Sequence, residues 1–119
     1  MEITLKTIYA VQVVQALSKS PLCILRTELA AQTGIPPEYI AQVVQPLIRA
    51  GIVESLKGPG GGYALARAVG KIKLADVVVA VYPGLVEKEA DDTPAAARIR
   101  SGIARVLMAA LSAKGVADL

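Results

Sequence analysis

Residues Leu5 to Leu17 form a dense apolar stretch in which Ile8, Val11, Val14 and Leu17 recur at helix-compatible intervals. Gln12 and Gln15 mark its more polar side, Thr4 suits the N-cap, and Ser18-Lys19-Ser20-Pro21 ends the helix. Leu22 to Leu25 is a short apolar run of strand length. Thr27 to Gly34 then reads as a two-turn helix closing on a C-terminal glycine. Another helix starts almost at once. Pro37 suits its first turn, where a missing N–H has no intrahelical partner. Ile40, Val43, Val44, Leu47 and Ile48 follow at spacings of 3, 1, 3 and 1, which places them on one buried stripe. This segment ends at Arg49-Ala50-Gly51, and Pro46 is an internal flaw that removes a backbone hydrogen bond.

Two helices joined by a turn containing Gly34 have helix-turn-helix spacing. The pattern then changes period. Ile52 to Lys57 alternates like a strand, Gly58-Pro59-Gly60-Gly61-Gly62 follows, and Tyr63 to Ala66 is the return strand. A hairpin directly after a helix-turn-helix is the layout of a winged helix. The glycine cluster is not a Walker loop, because no Lys-Ser/Thr pair follows it and Tyr63 opens a strand instead of a phosphate-facing helix. Nor does its spacing spell a dinucleotide fingerprint; it meets the need for positive φ and close backbone approach at a wing tip.

Beyond the wing, Leu74 to Tyr82 reads as a short helix ended by Pro83-Gly84, and residues 85–93 as a polar linker. A last helix from about Pro94 to Lys114 places Ile99, Ile103, Val106, Leu107, Ala110 and Leu111 on one stripe. The expected fold is mostly α with a small β-hairpin. It comprises a winged helix-turn-helix over residues 1–84, the linker, and a C-terminal helix over 94–119. The apolar stripe either forms a dimer contact or packs on the first helix of its own subunit.

Composition narrows the chemistry. The chain has 119 residues, 54% of them hydrophobic, with one Cys and no His, Trp or Phe. Within one chain that excludes a Cys/His zinc site, a protein-supplied iron–sulfur cage, a His-ligated haem, and a Ser-His or Cys-His nucleophile. The expectation is a protein that is not an enzyme and holds no cofactor or metal. A single Cys allows no internal disulfide, which fits a reducing compartment. The longest uncharged runs, Thr7 to Ser18 and Val77 to Val86, fall short of the ~20 residues that span a bilayer. A cytoplasmic location with no membrane partner is expected. Residues 1–73 carry a net charge of +4 and residues 74–119 a net of −1. A basic half suits a polyanionic partner, although an ordinary solvated surface accounts for it as well.

The run Ala50-Gly51-Ile52-Val53-Glu54-Ser55-Leu56-Lys57-Gly58-Pro59-Gly60-Gly61-Gly62-Tyr63-Ala64-Leu65-Ala66 resembles the wing signature of the Rrf-two type winged-helix transcription regulators, which include the IscR, NsrR and CymR groups. Leu5-Lys6 with Tyr9-Ala10, Glu28-Leu29-Ala30 with Gly34-Ile35, Tyr39-Ile40 with Gln42-Val43-Val44, and Ile72 to Val77 support it. The resemblance covers roughly residues 1–84. It implies a homodimeric, sequence-specific regulator, a repressor on a palindromic operator in double-stranded DNA, with the C-terminal helix crossing the partner subunit. Many family members hold an iron–sulfur cluster on three Cys between the post-wing helix and the dimerisation helix. Residues 83–100 here contain none, so a cluster of that type is contradicted.

By position, the resemblance places Pro36, Glu38, Tyr39 and Gln42 in the DNA-facing first turns of the recognition helix. Lys57 falls where a wing cation enters the minor groove, and Gly60 at the wing tip. Gln42 can pair with the N6/N7 edge of adenine, and Lys57 supplies the cation that a narrow minor groove attracts. Tyr39 either bonds a phosphate or packs its ring under the helix. Glu38 either faces DNA or only favours the helix N-terminus. Cys23, within Leu22-Cys23-Ile24-Leu25, is either core packing or a thiol redox sensor. Two rival functions remain at this level: a winged-helix module that binds protein, and a sensor whose small-molecule effector lies between the wing domain and the dimer helix.

Overall fold

The computed structural model describes residues 5–58 and 61–82, together with 93–95, 98, 99, 102, 105, 106, 115 and 116. Helix α1 (Leu5–Ser18) is followed by α2 (Arg26–Thr33), α3 (Pro37–Arg49), strands β1 (Val53–Leu56) and β2 (Gly62–Leu65), a single 3-10 turn at Val69–Lys71, and α4 (Leu74–Val81). The mostly helical winged helix-turn-helix expected from the pattern is present. Thr4, the expected cap of α1, and residues 85–92 of the expected linker lie outside the described residues.

The buried face of α1 differs from the expected one. Thr7, Ala10, Val13, Val14 and Leu17 are buried, whereas Ile8 is 47% exposed and Val11 only half-buried. The reason is geometric. At about 100° per residue, a series stepping by three drifts backwards around the helix, and residues nine apart stand on opposite sides. Ile8 and Leu17 therefore cannot share a face. Helix α1 is apolar nearly all round, so its sequence did not choose between the two registers; packing against α2, α3, α4 and β2 did.

The turn between α2 and α3 is closed by three hydrogen bonds. Thr33 Oγ1 donates to the Leu29 carbonyl at 2.8 Å and accepts from the Ile35 N–H at 3.2 Å. The Gly34 N–H, in left-handed backbone, reaches the Ala30 carbonyl at 2.8 Å. Ile35 then drops into the core, and the Pro36 carbonyl accepts from the Tyr39 and Ile40 N–H groups to start α3. Pro46 does not end that helix. It is buried within it, and its own carbonyl accepts from the Ala50 N–H at 3.0 Å.

The hairpin is antiparallel, with Val53 opposite Leu65 and Leu56 opposite Gly62. Its burial does not alternate as the sequence suggests. Val53 is buried, but Glu54, Ser55 and Leu56 are all exposed. Past Val53 the strand has left the core, so no inner face exists for Leu56 to occupy. The expected strand at Leu22 to Leu25 is reduced to one bridge residue, Ile24. It exchanges both backbone hydrogen bonds with Tyr63 at 2.8 Å. Strand β2 is thus flanked by β1 on one side and by Ile24 on the other.

Helix α4 begins with the Lys73 N–H donating to Asp76 Oδ2 at 2.9 Å, while Arg67 Nη1 lies 3.9 Å from the same oxygen. A feature without sequence signal follows: Gly115 bridges Lys73, the Val116 N–H donates to the Ile72 carbonyl at 3.1 Å, and Val116 joins the core. That core contains Val13, Val14, Leu29, Ile40, Val44, Leu47, Ile52 and Val77, so one apolar centre holds the helix-turn-helix, the wing base, α4 and the C-terminal segment. Pro94, Ala95, Arg98, Ile99, Gly102, Arg105 and Val106 are helical, within the expected last helix. Among the described residues no helix is long and apolar enough to cross a membrane.

Candidate nucleic-acid interface

Helix α3 has two unlike faces. Ile40, Val43, Val44, Pro46 and Leu47 are buried, and Glu38, Gln42, Gln45 and Arg49 are exposed at spacings of four, three and four. Such spacings keep the four side chains within a narrow arc along the helix. Tyr39 flanks that arc, 48% exposed. Pro36 stands half-buried at the N-cap, with Pro37 in the first turn. The face mixes amide, carboxylate, phenol and guanidinium groups, the types that read base edges and phosphates. Gln45 and Arg49 were not singled out from the sequence. Their signal was present, because each continues the polar register that starts at Glu38 and Gln42.

The wing is tied to this helix at its base. The Gly51 N–H donates to the Ile48 carbonyl at 3.0 Å, and the Ile52 N–H to the Leu47 carbonyl at 2.9 Å. On the far strand the Ala66 N–H donates to the Ile52 carbonyl at 2.8 Å. Lys57 and Gly58 are exposed at the end of β1, where the Gly61 N–H closes a turn onto the Gly58 carbonyl at 2.9 Å. Gly60 lies outside the described residues. Gly62 has a φ of +140°, and a Cβ there would collide with the Ile24 carbonyl. The bridge to Ile24 therefore requires glycine at this position.

Tyr39 packs its ring only in part. Its ring lies 6.3 Å from that of Tyr9 on α1, tilted by 60°, which is an ordinary edge-to-face aromatic contact. About half of the residue remains accessible. Elsewhere, Cys23 is half-buried beside the Ile24 bridge. Of the expected dimerisation stripe, Ile99 is 64% and Val106 71% exposed in the single chain. Ile103, Leu107, Ala110 and Leu111 lie outside the described residues.

A family model described as "Rrf2: Iron-dependent Transcriptional regulator" matches residues 3–115. The chain belongs to the Rrf2 family. IscR of Xenorhabdus nematophila, an HTH-type transcriptional regulator, is 41% identical over 54 residues, which are 45% of this chain and 33% of that protein. Protein aau3 of Rhizobium meliloti is 35% identical over 85 residues, 66% of this chain and 51% of that one. The matched stretches thus span about a third to a half of these relatives' length. Among solved structures, CymR, the global cysteine regulator of B. subtilis, superposes with a TM-score of 0.78 at 24% identity, covering 99% of this chain and 95% of CymR. IscR of T. potens gives 0.75 at 24% identity, covering 99% and 85%. These two likenesses establish the winged-helix fold. The family description names iron, but the donor set here does not fit a three-cysteine cluster. Cys23 is the sole Cys and His is absent, and no three His, Cys, Asp or Glu side chains converge among the described residues.

Proposed function

We propose that this Rrf2 chain is a sequence-specific, DNA-binding transcriptional regulator, acting in the cytoplasm as a repressor on a palindromic operator. The carrying observation is the exposed polar face of α3, with Glu38, Tyr39 and Gln42 in its first half, on the helix whose C-terminal end is hydrogen-bonded to the base of a projecting wing that carries Lys57. In this reading α3 enters the major groove and Gln42 reads a base edge, while Lys57 and Gly60 follow the backbone into the flanking minor groove. One small unit offers few phosphate contacts, so affinity and register call for a homodimer on half-sites about one helical turn apart. Ile99 and Val106 favour that assembly, because two large apolar side chains at helical positions stand open to water in the single chain. A dimer seated on an operator represses by occupying the duplex.

Selection of bound sequences from random duplex DNA at moderate salt, with and without oxidant, tests the reading. Enrichment of a palindromic motif is the expected result, and no enriched motif transfers the site to protein recognition. An oxidant-dependent change in the motif or its affinity, lost in Cys23→Ser, would assign Cys23 as the effector site.

A further inference from the structure

Helices α1 and α3 enclose a small notch of about 100 Å³, lined by Leu5, Lys6, Tyr9, Tyr39, Gln42 and Val43. On the same measure a single water needs about 10–15 Å³, so the notch has room for a group of several heavy atoms. Its floor is apolar. Its lining includes Lys6, Gln42 and two tyrosines whose rings stand 6.3 Å apart. Lys6 is exposed and, among the described residues, joins no ion pair. Gln42 therefore belongs at once to the exposed reading face of α3 and to the wall of this notch.

We propose that the notch seats one sugar–phosphate unit of the operator backbone, next to the base that Gln42 reads. The chemistry matches in both parts. A deoxyribose offers an apolar face to Leu5, Val43 and the tyrosine rings, and the phosphodiester takes the Lys6 ammonium and the Tyr39 hydroxyl. Tyr9 is a positioning residue: its ring holds that of Tyr39 at the notch. The reader helix and α1 then grip the same strand, which sets how deeply α3 enters the groove. The inference rests on the DNA reading above and adds Lys6 and Tyr9 to it.

The test uses the full chain, its selected operator, and duplexes in which single phosphates are replaced by neutral methylphosphonates. The unmutated protein is expected to lose about tenfold in affinity at one phosphate per half-site, beside the base read by Gln42. Lys6→Ala should lose a similar factor, reduce the salt slope by about 1 per contact, and lose nothing more when that phosphate is already neutral. Lys57→Ala should remain sensitive to the same phosphate. Tyr9→Phe should bind normally, while Tyr9→Ala should lose affinity at this phosphate and not elsewhere. Unchanged affinity and slope in Lys6→Ala, or losses that simply multiply at every phosphate, would overturn the site while leaving the DNA reading intact. Failure of the unmutated chain to enrich any duplex would overturn the DNA reading itself, and the site with it.

Discussion

Replacing Gly62 by alanine separates two costs that glycines usually combine. At a φ of +140° an L-residue is strained, and the added Cβ would also run into the Ile24 carbonyl. Backbone strain of this kind costs about 1–3 kcal/mol. Relief of the collision requires Ile24 and Tyr63 to part, which puts at risk two backbone hydrogen bonds of 2.8 Å. Each contributes about 0.5–1.5 kcal/mol net. The combined loss is about 2–6 kcal/mol, a large share of the 5–15 kcal/mol typical of a whole domain. Gly58 supplies the comparison. Its φ is +92°, but nothing lies within 4 Å of the place its Cβ would take. Gly58→Ala therefore carries only the strain, about 1–3 kcal/mol.

Urea denaturation followed by circular dichroism on both variants and the unmutated chain measures the difference directly. Gly62→Ala is expected to be the less stable by more than 1 kcal/mol, with faster amide exchange at Ile24 and Tyr63. Equal stabilities within about 0.5 kcal/mol, with both amides still protected, would refute the argument that the Ile24 bridge requires glycine at position 62.

Lys57→Ala should weaken binding to all duplexes alike and lower the salt slope by about 1, read from binding isotherms at several salt concentrations. Gln42→Ala should instead relax preference at one base position, at a cost of about 1–3 kcal/mol, read by competition between operator variants. Anaerobic reconstitution of this chain with iron and sulfide should leave no stable cluster absorption; a stoichiometric cluster would require carboxylate or partner ligands. Val106→Asp should shift the sedimenting species at micromolar concentration from dimer to monomer while α1–α4 stay folded, since Val106 is 71% exposed in the single chain. A monomeric unmutated protein would refute the dimer.

Legibility differed between elements for physical reasons. Helix α3 was readable because its apolar positions, Ile40, Val43, Val44 and Leu47, leave one clear polar face. The wing was readable from turn chemistry, since few patterns other than a tight hairpin need so many glycines between two strand-like runs. Helix α1 misled because apolar side chains surround it, and nothing local says which of them the core takes. Strand β1 misled in another way: alternation in sequence predicts an inner and an outer face, but a strand that projects from the body has only outer faces. The pieces that form the notch between α1 and α3 were visible as separate motifs, but not their meeting, because Lys6 and Tyr9 lie 30 to 36 residues from Tyr39 and Gln42 and reach them only through packing.

The short return of the chain at Gly115 and Val116 bears on how the two parts of the molecule communicate. Val116 is 2% exposed and sits in the same core as Val77 and Ile72, next to the start of α4. Its N–H and the Gly115 bridge hold it to Ile72 and Lys73. A segment tethered there constrains the chain that precedes it, which includes the helical residues Ile99 and Val106 with their open apolar side chains. In the proposed dimer, a subunit contact made through those residues would be referred back to the core on which α3 packs. A two-fold operator demands that two copies of α3 present themselves at a set separation. If the proposed dimer forms, the contacts of Gly115 and Val116 with Lys73 and Ile72 would contribute to that constraint through one buried valine and a pair of backbone contacts.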